Sequence, residues 1–173
     1  MRLYPPIERE PGVPASAASP VPAGGAAGAG GILRLETVIV ALIAFHSAAV
    51  GAVLLLAPEA GVRFGGWDGV DPVFFPRQAG VFHLLVATAY ILEYIFRGGV
   101  VFLVTAKTVA AVFLFSMMLL DGGAWCVPVS GLADALMAIV VLLIHPRARR
   151  RRKANAEGAA ARRVSARAGP DLQ

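Results

Sequence analysis

The sequence predicts an all-α fold: a four-helix transmembrane bundle with disordered N- and C-terminal tails. Three observations carry that prediction. Four long apolar stretches, at about 32–57, 73–96, 100–120 and 127–145, each reach the ~20 residues that a helix needs to cross a bilayer. The composition is 57% hydrophobic and 16% charged, well short of the ~25% charge of an ordinary soluble domain. The run HPRARRRRK at 145–153 closes the last stretch, as basic residues do on the cytoplasmic side of a membrane.

Residues 1–31 are rich in Pro, Ala and Gly and almost free of large apolar side chains. Such a segment buries too little surface to offset its ordering entropy, so it is expected to be disordered. No apolar region follows Met1-Arg2 at the spacing of a signal peptide, and the first span is longer than a signal core and is followed by three more. The membrane domain is expected over 32–145. Its first helix starts near Ile32 and stops at Pro58, which can neither donate to the helical ladder nor continue it. A loop over 58–72 follows, with Gly, Pro and Asp punctuation and Trp67, a residue suited to the membrane interface. The second helix begins around Pro76, a residue tolerated in a first turn. Arg97-Gly98-Gly99 leaves room only for a tight turn, so the second and third helices form an antiparallel hairpin. The third ends at Asp121-Gly122-Gly123, and the fourth runs from about Val127 to His145-Pro146. The basic segment 146–173 is expected to be disordered.

Orientation follows from the arginines. The second loop holds Arg97, the third holds no Lys or Arg, and nine of the sixteen basic residues lie after His145. With four spans, both termini are then cytoplasmic; Arg63 on the external loop dissents. Arg147, Arg149, Arg150, Arg151, Arg152 and Lys153 are expected to contact anionic headgroups, worth ~1 kcal/mol each near the surface. The same location accounts for the formal charge of +5 without a nucleic-acid partner. Arginine far outnumbers lysine, and alanine and glycine abound, as in proteins of GC-rich bacteria; the expected compartment is a bacterial inner membrane.

Ionisable groups inside a span cost free energy and need a reason. Depth bookkeeping at ~1.5 Å per residue sorts them into two layers. His46, Arg77, Gln78, His83 and Asp134 share the outer one, and Glu36, Glu93 and Lys107 the inner one, near Arg34 and Arg97. Lys107 and Asp134 differ by only ~8 Å in depth, within reach of a lysine stem. Snorkelling accounts for the groups near the surface, whereas Asp134 is short and ~10 Å deep, so it must pair, protonate or line a wet cavity. Small residues at four-residue spacing (Ser47 and Gly51; Ala106 and Ala110; Ser130, Asp134 and Ala138) suit close helix packing in lipid.

Cys126 is the sole cysteine, which excludes an intramolecular disulfide, dithiol redox chemistry and a thiolate-held cluster. No HExxH, GxSxG, P-loop or dinucleotide fingerprint stands in a usable context, and AGGAAGAGG at 23–31 is low complexity. No metal site and no enzymatic activity are expected.

The order of features resembles the DoxX-like group of small bacterial four-span proteins. The resemblance lies in LLLAPE (54–59), FGG (64–66), FFPRQAGVFHLLVATAY (74–90), a third span with a lysine inside it, and SGLADALMAIV (130–140). It spans roughly 33–145 and carries over Arg77, Gly80 and Asp134 as matching positions without assigned chemistry. It implies the four-helix fold and, at most, a redox-accessory role or one facing lipid or quinone. Three functional readings stand. The first is a non-enzymatic accessory subunit that contacts quinone, lipid, a membrane-protein partner or a second copy of itself. The second is a proton-coupled carrier using Asp134, Lys107, His46 and His83, and the third a redox subunit holding haem between His46 and His83.

Overall fold

A computed structural model of the chain describes residues 25–121 and 123–168. The expected disorder of residues 1–24 and 169–173 lies outside them. All the regular structure described is α-helical: α1 (Gly25–Leu56), α2 (Pro58–Phe64), α3 (Phe74–Arg97), α4 (Val101–Asp121) and α5 (Cys126–Ala168). Four of these helices are long and apolar enough to cross a membrane, the pattern of a multi-pass membrane protein.

Each long helix turns one narrow stripe inward. On α1 the buried positions are Glu36, Val40, Ile43, Ala44, Ser47 and Gly51, the three-and-four spacing of a single helical face. On α3 they are Pro76, Gly80, Ala87 and Tyr90, and on α4 Leu103, Lys107 and Ala111. The rest of the surface is large and apolar, including Leu42, Phe45, Phe82, Leu85, Phe113 and Leu142. An apolar exterior around a sparse core suits lipid as the solvent.

The helices stand at the corners of a square in which α1 packs mainly on α3, α4 on α5, and α1 on α5. Gly51 and Gly80 permit the α1–α3 crossing: a Cβ on Gly80 would lie 2.7 Å from both the Gly51 carbonyl oxygen and the Leu55 nitrogen. Backbone thus meets backbone, the close approach that small residues allow in membranes. The fourth side differs. α3 and α4 are joined by a tight turn, with Gly98 left-handed at φ 58° and bonded back to the Tyr94 carbonyl, yet they touch least of the four neighbouring pairs.

Three expectations are corrected. Residues 25–31, expected to be irregular, begin α1. The loop at 58–72 opens with a helical turn, α2, because Pro58 stops α1 and then serves as a first-turn residue. The largest correction concerns 146–168, which is helical instead of disordered, with Pro146 inside α5. The residues after Pro146 are mostly Ala, Arg and Lys, strong helix formers. The Arg147 guanidinium also donates to the Leu143 carbonyl, in the turn where proline removes a donor.

Candidate functional site: a mid-depth cleft and a polar cluster below it

The inward stripes of α1 and α5 each carry polar groups at two levels, separated by an apolar layer. Lys107 and Asp134 make the upper level. Lys107 lies six residues into α4, ~9 Å along its axis, and its Nζ donates to Asp134 Oδ1 on α5 at 2.6 Å. Their side chains are 5% and 13% exposed, so the pair is largely buried. Desolvating two ions costs several kcal/mol each, and their attraction offsets this only with good geometry and further hydrogen bonds. Among the described residues Lys107 Nζ gives a hydrogen bond to Asp134 Oδ1 alone, so two of its three N–H donors and Asp134 Oδ2 are left over.

The loose α3–α4 side of the square opens onto this pair. A cleft of about 150 Å³ is lined by His83, Val86 and Tyr90 of α3, Ala106 and Ala110 of α4, Phe82 at the rim, and Ser47, Lys107 and Asp134 at the floor. Phe82 is 56% exposed, so the mouth faces the apolar exterior. Ser47 is 1% exposed, and its Oγ has no hydrogen-bond partner among the described residues.

The lower level lies toward the basic end. Glu36 is 2% exposed, its Oε1 is 2.7 Å from His145 Nδ1, and its Oε2 accepts from Arg152 Nη2. Arg152 also donates to the Tyr94 hydroxyl at 2.9 Å and to the Gly98 carbonyl at 3.1 Å, while its guanidinium sits 5.3 Å from the Tyr94 ring centre. Tyr94 and Thr37 exchange a further bond of 2.8 Å. One arginine two turns beyond Pro146 thereby ties the α5 extension to α1, α3 and the α3–α4 turn. Val40, Ile43, Tyr90, Leu103 and Val141 fill the layer between the two levels.

The sequence-derived candidates separate accordingly. Lys107 and Asp134 meet, and His83 lines the same cleft. His46, next to Ser47, is exposed on the flank of α1. Arg77 and Gln78 are exposed in a different, open groove with Leu55, Val73, Phe74 and Val81, so the proposed outer layer is not one cluster. The inner layer is not one cluster either. Lys107 turns to Asp134, and Glu36 to His145 and Arg152. Glu93 instead caps α4, accepting from the Val101 and Phe102 amides at 3.0 and 2.9 Å, two donors that a helix start leaves unpaired. Arg34 and Arg97 are exposed. In the basic run Arg147, Arg149, Arg150, Arg151 and Lys153 are exposed, whereas Arg152 turns in. Ser130, expected on the packed face of α5 with Asp134 and Ala138, is exposed, and Gly131 lies on that face instead.

Ser47, Tyr90, Tyr94 and His145 were not singled out as site residues by their sequence context. A signal existed for His145 and Arg152. The α5 stripe Val127, Gly131, Asp134, Ala138, Val141 continues at the same spacing through His145, Ala148 and Arg152. Nothing in the spacing marks Ser47 beyond its place on the small-residue face of α1.

Among the described residues no three His, Cys, Asp or Glu side chains converge to hold a metal ion. No family model, curated protein or solved structure matches this chain.

Proposed function

We propose that this chain is a non-enzymatic accessory protein of a bacterial inner membrane that holds a lipid-soluble ligand in the cleft between α3 and α4. One observation carries the reading: a cleft with an apolar mouth and a buried ion pair at its floor. An amphiphile enters sideways from the bilayer, its polar head reaching Lys107 and Asp134 while its tail stays outside between lipid-facing side chains. The volume of about 150 Å³ suits a head the size of a six-membered ring, since a cavity of ~150 Å³ holds benzene. The quinone- or lipid-facing role implied by the DoxX-like resemblance agrees with this, and the positive-inside pattern supports cytoplasmic termini.

The two other readings are less favoured. A proton-coupled carrier needs a polar path, and the layer of Val40, Ile43, Leu103 and Val141 interrupts it between the two polar levels. Haem is much larger than the cleft lined by His83.

The test is extraction of the purified protein and mass spectrometry of its co-purifying lipids, with Ala110→Trp as the cleft-filling variant. A neutral lipid enriched on the parent protein and lost from the variant, at unchanged helical content, is the expected result. Identical lipid profiles for the two proteins would refute the reading.

A further inference from the structure

We infer that the cleft selects an uncharged head group bearing a hydrogen-bond-accepting oxygen, a ketone above all, and that Ser47 recognises that oxygen. This rests on the cleft being a ligand site and names the chemistry that the site takes.

Serine and threonine on a helix usually satisfy their hydroxyl by donating to the carbonyl four residues back. Thr37, Thr88 and Ser116 do so here, to Leu33, Leu84 and Val112 at 3.0, 2.9 and 2.8 Å. Ser47 does not, although the Ile43 carbonyl stands in the same relation to it. Ser47 is 1% exposed and lines the cleft, and its Oγ is buried. A desolvated hydroxyl without a partner is destabilising, and an accepting atom in the cleft removes that penalty. Tertiary structure has therefore left one buried donor unused among the described residues that line the cleft, where Lys107 also lies.

Charge then limits the class of ligand. Lys107 and Asp134 sum to zero, and the other ionisable groups among the described lining residues are His83 and Tyr90, of which a tyrosine carries no charge near neutral pH. A carboxylate would bring an uncompensated negative charge into a low-dielectric site, and an ammonium an uncompensated positive one. A ketone oxygen accepts from Ser47 Oγ and Lys107 Nζ and leaves the balance untouched. A bare alkane fits the mouth but leaves the Ser47 donor unmade.

Three probes of equal chain length separate these cases: 2-hexadecanone, hexadecanoate and hexadecane. Each is titrated against the full chain in detergent micelles near neutral pH, with affinities read by native mass spectrometry. The ketone is expected to bind at least ~10-fold more tightly than either of the others. Ser47→Ala is expected to weaken the ketone about 5-fold, the size of one neutral hydrogen bond, and to leave hexadecane unchanged. Hexadecanoate binding tightest, or a ketone affinity indifferent to Ser47→Ala, overturns the head-group proposal while leaving the cleft standing. Equal binding of every probe to the parent and to Ala110→Trp overturns the cleft itself.

Discussion

Removing one member of the Lys107–Asp134 pair should cost far more than removing both. At 2.6 Å and an effective dielectric constant of ~20, the direct attraction is about 6 kcal/mol. Taking two ions out of water costs several kcal/mol each, so the intact pair contributes little net stability. Asp134→Leu strands an ammonium that is 5% exposed, and Lys107→Met strands a carboxylate that is 13% exposed. Those exposures leave almost no solvent screening, so each single change should cost about 3 kcal/mol, the lower end for a broken buried pair. The lower end is apt because the unfolded chain in a micelle also finds partners for its polar groups. The double replacement fills the space with apolar groups and should cost about 1 kcal/mol or less, against the roughly 6 kcal/mol that additivity predicts. The assay is a double-mutant cycle by dodecyl sulfate titration of the protein in mild detergent, followed by circular dichroism. Single changes each below about 1 kcal/mol, or a double variant as unstable as the sum, would refute the argument that the pair is desolvated and mutually dependent.

Gly80→Ala should weaken the α1–α3 crossing by about 1–3 kcal/mol, because its Cβ meets backbone that no rotamer change relieves. Gly69→Ala, with nothing within 4 Å of its Cβ, is the control, and equal midpoints in the same titration would contradict the contact. Arg152→Ala should release the α5 extension: amide exchange over 149–156 should quicken while that over 134–141 stays slow, and unchanged exchange in both would show that the Glu36 cluster does not hold it. Glu93→Ala removes the acceptor for two α4 amides and should cost about 1 kcal/mol, read in the same titration; Glu93→Gln should recover part of that loss through its remaining carbonyl.

The helices were legible because a membrane span is written in plain composition: apolar runs of the right length, ended by Pro, Gly or charge. The boundary at Pro146 was misread for a physical reason. Proline removes one hydrogen bond, and that local cost is outweighed by a long run of good helix formers and by Arg152 binding Glu36 on another helix. Neither contribution appears in a local reading of the proline. Depth along a helix is linear in sequence, so the proximity of Lys107 and Asp134 was foreseeable. Angle around the bundle is not. Depth bookkeeping groups Glu36, Glu93 and Lys107 in one layer. Yet Lys107 pairs with Asp134 above the apolar layer, while the two glutamates turn to different partners near the basic end, because each side chain points from its helix in its own direction. Ser47 shows the same limit from the other side. Its place on the small-residue face of α1 was readable, but the unused hydroxyl exists only once α3, α4 and α5 surround it.

The buried pair is difficult to explain as a stabilising device. Apolar residues of similar volume would hold the bundle equally well or better, and the four helices already pack through Gly51, Gly80, Leu103 and Val141 without it. Ser47 compounds the cost with a second desolvated group, one with no hydrogen-bond partner among the described residues. Two unfavourable features in one cleft, on the side where neighbouring long helices touch least among the described residues, are what the proposed site for a polar head in the bilayer requires. The lower cluster differs in kind. Glu36, His145, Arg152 and Tyr94 satisfy one another and close the basic end of the bundle. A ligand that displaces nothing there but completes the bonds of Ser47 and Lys107 stabilises the upper level alone. Its binding should therefore slow amide exchange around 43–51 and 103–110 and leave the exchange of 145–152 as it was.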